Sequence, residues 1–482
     1  MKLTKGLQLE LVITDLAFGG RGLASVKNED NQEKKDLVVF VDGALPGQTV
    51  LAKITNKKRR YAEAKMLKVV SPAKDEVAHS FQSTPGAPWL GLPVNIQQQY
   101  KQAQVFELFK KFAEIDVESM FDVFVSSPET HFYRNKMDYS FGPTEESFEE
   151  LPGNRGEGDI YKKWSHSGFG LGSKKRGQFW LVENLETPSG MFDESFEALL
   201  PELRKLCESL NNTVYNSKNN SGFWRQLVVK KSFKQNQFLL NIITNVAKDK
   251  SLNLEDLTKF FNTKLPNQIK GIYWTQSDDT GNANYKYNQR DLIYGEDQIE
   301  ETICDLDFSI SMDSFFQTNV FSAEKLYIKA ASYVSDADTI LELFAGTGTI
   351  SQILARQNKA AKITSVEIVE AAVKDAKANA ARNNITNINF VCDDVTKFMK
   401  TYTDTPPVVV LDPPRAGISP KALQKIIGFA PQEMVYISCN PATLARDTAT
   451  LLKGEYKLEK LSLVDQFPHT AHVECVTKFV KK

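Results

Sequence analysis

Three side chains near the C-terminal end of the sequence have the types and neighbours that covalent catalysis requires. Cys439 stands in MVYISCNPATLARD, at the end of an apolar run and just before a helical stretch whose N-terminal dipole favours a thiolate. Asp412 closes another apolar run in VVVLDPPRAG, and the two prolines behind it stiffen the exit. Glu474, in HTAHVECV, supplies a carboxylate that can take a proton. A thiolate and a base together can add to an electron-poor ring and then remove a proton from it.

A second group of residues reads as a nucleoside site. In ELFAGTGTI, Gly346 and Gly348 fall in the turn between a strand and a helix, where glycine lets the backbone approach a ligand. The spacing does not complete the GxGxxG dinucleotide fingerprint, and no phosphate-cradling Gly-Lys-Ser/Thr follows. Glu367 ends the next strand, in SVEIV, where a carboxylate accepts from both ribose hydroxyls. Asp394, in FVCDDV, is placed to accept from an adenine amino group or to cap the helix after it. A ribose-bearing ligand without a pyrophosphate suits this set better than a dinucleotide does.

These residues need a scaffold that brings strand ends to one edge. From about residue 338, β-branched apolar runs alternate with helical stretches, which specifies a doubly wound, mostly parallel sheet covered on both faces. The runs LEKLSLVDQF and HVECVTKFV are expected to add edge strands. Residues 1–70 read as short alternating strands broken by glycines, a small β-barrel, with the charged insert KNEDNQEKKD as a solvated loop. Residues 71–305 read as an α+β region, and residues 306–482 as the catalytic domain. Within the central region, Val105, Leu108, Phe109 and Phe112 recur at helical spacing.

The 482 residues suffice for roughly three domains, and the 41% hydrophobic and 25% charged fractions are those of a globular protein. No stretch reaches the roughly 18 apolar residues of a membrane span, and the first residues show no export signal, so a cytoplasmic location is expected. Five scattered cysteines fit a reducing compartment. A net charge of −1 gives no global nucleic-acid signature, but clusters do occur. Lys57-Lys58-Arg59-Arg60 beside Tyr61 is one, and Lys162-Lys163, Lys174-Lys175-Arg176, and Arg225 with Lys230-Lys231 are others.

Taken together, FFQTN, ELFAGTGT, SVEIV, LDPPRAG, ISCNPATLARD and HVECV make the chain resemble the RNA uracil-5-methyltransferases along essentially its whole length. The likeness is closest to the branch that carries an N-terminal TRAM barrel, of OB-like form, and modifies 23S ribosomal RNA. The resemblance implies a Rossmann-like S-adenosyl-L-methionine-dependent domain, with Cys439 as nucleophile and Glu474 as general base. It assigns cofactor contacts to Gln317 in FFQTN, Phe344, Glu367 and Asp412, with Asp394 beside them, and places Arg134 and Lys136 near the RNA. The chemistry agrees: carbon 5 of uracil becomes nucleophilic only once a thiolate adds to carbon 6. The resemblance also implies that residues 95–127 pack on the catalytic domain.

One departure concerns metal. Many ribosomal RNA members hold an iron–sulfur cluster on four cysteines, three of them shortly after the barrel. AHSFQSTPGAPWLGLPVNIQQQY contains none, so no cluster is expected. Ribosomal RNA is the favoured partner and transfer RNA stays open; neither a membrane nor an obligate protein partner is implied. An amino-group methyltransferase, suggested by Asp-Pro-Pro, is an alternative, although Arg415 follows where those enzymes place an aromatic. A non-catalytic RNA-binding protein is another.

Overall fold

The computed structural model describes residues 3–27, 36–145, 148–152, 160–164, 168–246, 253–280 and 286–482. The charged insert lies across residues 28–35, outside the described residues, as do the side chains of Lys162 and Lys163. Six short strands make the N-terminal sheet, in the order Gln8–Val12, Thr49–Lys57, Tyr61–Ser71, Leu37–Asp42, Gly22–Val26, Asp15–Leu16. Alternation drives it: Leu37, Val39 and Val41 point inward and pack with Leu11, Ile13, Val50, Ile54 and Ala62. One hairpin leaves this unit towards the rest of the molecule. Its Gly20, at φ 87°, accepts from the Trp89 indole at 3.3 Å, and a Cβ there would meet Ala471 at 3.0 Å.

The central region is built on a seven-stranded sheet, ordered Val182–Asn184, Gly170–Lys174, Lys136–Gly142, Trp224–Ser232, Gln237–Thr244, Ile269–Gln276, Gln289–Gly295. Its core is aromatic, with Tyr139, Phe192, Phe196, Phe238 and Phe261 in edge-to-face, tilted and stacked contact. A hairpin of Gln298–Ile303 and Leu306–Ser311 crosses the boundary drawn at residue 306, so the two regions share it.

The C-terminal sheet has eight strands, ordered Ile388–Cys392, Lys362–Glu367, Thr339–Leu343, Val408–Leu411, Glu433–Ser438, Glu474–Lys481, Tyr456–Val464, Phe121–Val125. The first five are mutually parallel and carry helices on both faces. Two expectations need correction. Glu474–Lys481 is no edge strand: it lies antiparallel between Glu433–Ser438 and Tyr456–Val464, which is why Glu474 is buried. Tyr456–Val464 is no edge strand either, since Phe121–Val125, from the stretch 95–127 that the resemblance packs on the catalytic domain, pairs parallel with its outer side. The helix Val94–Phe112 belongs to the same body, since Val105, Leu108 and Phe109 share a core with Leu444 and Leu451 of helix Pro441–Lys453.

Candidate active site

Register alone brings the two reactive groups together. Ser438 pairs with Cys475 across the antiparallel ladder, so Cys439 and Glu474, one step further, face each other at the sheet edge. Leu411 pairs with Tyr436 on the other side, which delivers Asp412 to the same edge. All three open into one cavity of about 1000 Å³, lined also by Gln317, Phe344, Gly346, Glu367 and Asp394. Eight of the nine residues singled out from the sequence therefore meet. Gly348 does not line the cavity: it caps helix Thr349–Gln357 at φ 70°, and a Cβ there would strike Phe390 at 2.7 Å.

Two lobes differ in how their acids are held. At Glu367, each carboxylate oxygen accepts one backbone N–H, from Gly346 and from Val369, both at 2.9 Å. Gly346, at φ 56°, would aim a Cβ into open space. Phe344 holds φ 66°, a left-handed conformation that costs a side-chain-bearing residue about 1 kcal/mol or more. Asp394 caps helix Val395–Thr401 through the Lys397 N–H at 3.1 Å and also lines the cavity. The Gln317 carbonyl accepts from Asn135 at 2.8 Å, which ties this lobe to the central region.

The reactive lobe is drier. Burial and the neighbouring Asp412 carboxylate push Glu474 up to about 8, and burial with Glu342 nearby pushes Asp412 up to about 7. For Cys439 the sequence favours a thiolate, and the structure reverses this. Burial, then Glu474 and Asp412, push the thiol up to about 11, outweighing Arg415 and the residue's own backbone N–H. The helix gives little help because Asn440, its cap, already takes the Ala442 N–H at 3.2 Å. Cys439 thus rests as a thiol among protonatable acids.

Several supporting residues escape a reading of the sequence. Glu342 is fully buried beneath the cavity, its Oε2 accepting from Ser365 at 2.7 Å and its Oε1 without a partner; burial raises it to about 7. A carboxylate inside the apolar run DTILELFAG is the available signal. The loop before Glu474 is pinned by helix Val94–Phe112. Buried Lys101 donates to Asp465 at 2.6 Å and to the Phe467 carbonyl at 3.0 Å, while Gln97 accepts from the His469 N–H at 2.7 Å. Gln97, Lys101, Val105 and Leu108 share one helix face, so polar residues at core spacing are the clue.

Three cationic candidates for RNA surface are corrected. Arg225 is buried and donates to the Ser277 carbonyl at 2.8 Å, and Lys230, also buried, donates to the Ser311 and Ser314 carbonyls at 2.7 Å each. Lys231 pairs with Asp193 at 2.5 Å. Long charged side chains read as solvated in a sequence, but here buried carbonyls claim them. Arg134 and Arg176 do line the cavity, and Arg176 also pairs with Asp42 of the N-terminal sheet at 3.0 Å.

Comparison with known proteins gives a consistent picture. A sequence profile of the tRNA (uracil-5-)-methyltransferases matches residues 281–482, and one of the TRAM domain matches residues 2–67. An uncharacterised RNA methyltransferase of Clostridium acetobutylicum is 33% identical over 98% of this chain and 97% of its own. Another, from Clostridium tetani, is 32% identical over 100% and 99%. Among solved structures, the tRNA (uracil-54, C5)-methyltransferase of Pyrococcus abyssi, in complex with S-adenosyl-L-homocysteine, superposes with a TM-score of 0.70. It is 22% identical and covers 98% of this chain and 100% of its own, a likeness of fold.

Proposed function

The chain belongs to the TRAM-containing RNA uracil-5-methyltransferase family, and from that premise we propose that it methylates carbon 5 of one uridine in 23S ribosomal RNA through a covalent Cys439 adduct. The observation that carries the proposal is the meeting of Cys439 and Glu474 across one ladder, at the wall of a cavity that Glu367 also lines. The donor set suits S-adenosyl-L-methionine. Glu367, with two backbone contacts only, keeps lone pairs for ribose hydroxyls, and Asp394 offers an acceptor to an adenine amine. The cavity carries groups of both signs, with Arg134, Arg176 and Arg415 lining it beside Asp412, Glu474, Glu367 and Asp394. Bound there, the cofactor supplies an electrophilic methyl group.

The side chains then have separate duties. Cys439 gives up its proton to water and its Sγ bonds to carbon 6 of uracil, so that the electron pair of the carbon 5–carbon 6 double bond moves to carbon 5, which would take up the methyl group as the donor's methyl–sulfur bond breaks. Ionised Glu474 takes the proton from carbon 5, and the carbon 6–sulfur bond breaks to release product and restore the cysteine. Arg415, whose charge lowers both Glu474 and Cys439, favours the ionised forms that both steps need.

Ribosomal RNA is proposed as substrate because the barrel-bearing branch the sequence resembles modifies it. Transfer RNA is the second reading, favoured by the profile that matches residues 281–482. No helix among the described residues is long and apolar enough to cross a membrane, and we place the reaction with its RNA in the cytoplasm. Mapping 5-methyluridine in ribosomal and transfer RNA from cells with and without the gene tests this directly. Loss at one 23S position is expected; loss only in transfer RNA selects the second reading, and no change in either removes both.

A further inference from the structure

The central region carries an aromatic and basic surface that the chemistry above does not use. The turn between strands Gly170–Lys174 and Val182–Asn184 presents Phe179, 69% exposed, beside half-buried Trp180. Facing it is the turn after Val214, where Tyr215 sits with exposed Lys218, Asn219 and Asn220. Lys174, Phe179, Trp180, Tyr215 and Arg225 line one cleft between the two turns.

Its construction is rigid beneath and open above. Buried Arg225 lies 4.2 Å from the Tyr215 ring centroid and is itself fixed by the Ser277 carbonyl; the Tyr215 hydroxyl donates to Asn220 at 2.8 Å. Lys218 places its ammonium 3.9 Å from the Trp180 ring centroid. Among the described residues no carboxylate pairs with Lys174 or Lys218, so an anion can reach Lys174 and the outer side of the Lys218 ammonium that rests on Trp180. The same turn also carries Arg176, which lines the catalytic cavity, so the surface and the cavity share one short stretch of chain.

We infer that this surface is a stacking platform for unpaired nucleotides of the RNA substrate, with Phe179 and Trp180 against bases and Lys174 and Lys218 against phosphates. It rests on the reading of RNA as substrate but not on uracil-5 chemistry. Flat π faces accept any base, and adjacent cations track the backbone, which fits a single strand rather than a duplex. Holding nucleotides beside the cavity would keep the target region open while one base enters.

The test uses the full-length protein with Cys439→Ala, so that no covalent capture contributes. Its probes are a labelled single-stranded oligouridylate of about twelve nucleotides and a perfectly paired RNA hairpin. Phe179→Ala is expected to weaken oligouridylate binding about tenfold and hairpin binding less than about twofold, the scale of one missing base stack. Phe179→Tyr should restore it. Oligouridylate should also quench tryptophan emission, and Trp180→Phe should remove most of that quenching. Unchanged single-strand affinity in Phe179→Ala, or an equal loss for both probes, overturns the platform. Intact binding behaviour with no 5-methyluridine formed in cells would leave the platform standing and defeat the proposed reaction instead.

Discussion

Glu367 and Glu474 are the same residue type at the ends of two strands of one sheet, yet their settings are opposed. Glu367 is met by two backbone N–H groups and stays half exposed, whereas Glu474 is buried and held up to about 8 beside Asp412. A carboxylate fixed by backbone amides is an acceptor ready for a ligand, since its orientation is settled before anything binds. One kept near neutrality by burial is a group that exchanges protons. In the proposed reaction strand order divides the work, with the parallel side for holding and the antiparallel insertion for proton chemistry.

The comparison is broken most decisively at its reactive end. Cys439→Ala should abolish methyl transfer and every covalent RNA adduct, with donor binding, measured by calorimetry, unchanged. Glu474→Gln should slow turnover by about 10² to 10⁴ and accumulate a methylated protein–RNA adduct that survives denaturation, visible as a shifted band in a gel. Normal turnover by that variant would end the assignment of the base.

A pH profile sharpens the contrast. The raised Glu474 means that the folded protein favours its proton, so stability from this group is fully present below the ordinary carboxylate range. It is lost as pH rises through about 8. Activity runs the other way, because the base must be ionised: single-turnover release should rise with pH and level off above about 8. A profile flat from about 6 to 9 would contradict this. At the binding end, Glu367→Ala should weaken donor affinity about tenfold, as expected when the ribose hydroxyls are deprived of their acceptor, and leave the pH midpoint in place. The smallest effect is expected furthest away. Neutralising Lys57, Lys58, Arg59 and Arg60 should flatten the salt dependence of RNA binding by roughly one unit of slope for each phosphate that these cations neutralise.

What the sequence makes legible is what short segments determine by themselves. Cys439, Asp412 and Glu367 each end an apolar run, so chain direction alone delivers them to one edge. What it hides depends on distant partners. Phe121–Val125 has five residues and a strand partner more than 300 positions away, so no local pattern could announce it. Lys101, Arg225 and Lys230 carry charge, and charge reads as surface until the carbonyls and carboxylate that receive it are seen. The thiol follows the same rule: the helix that favours its ionisation is local, whereas the two carboxylates that oppose it come from other strands.

The bond between Lys101 and Asp465 joins positions 364 residues apart, and it braces the loop that leads to Glu474. During synthesis the helix bearing Lys101 leaves the ribosome long before its acid exists, and the strand beginning at Glu474 must still slide between two neighbours already made. The long wait for closure is costly in time, since distant contacts form slowly. It also acts as an order of assembly. A nascent chain that has reached Cys439 does not yet hold Glu474, the acid proposed to release the product, because that residue comes with a strand inserted after both of its neighbours are made.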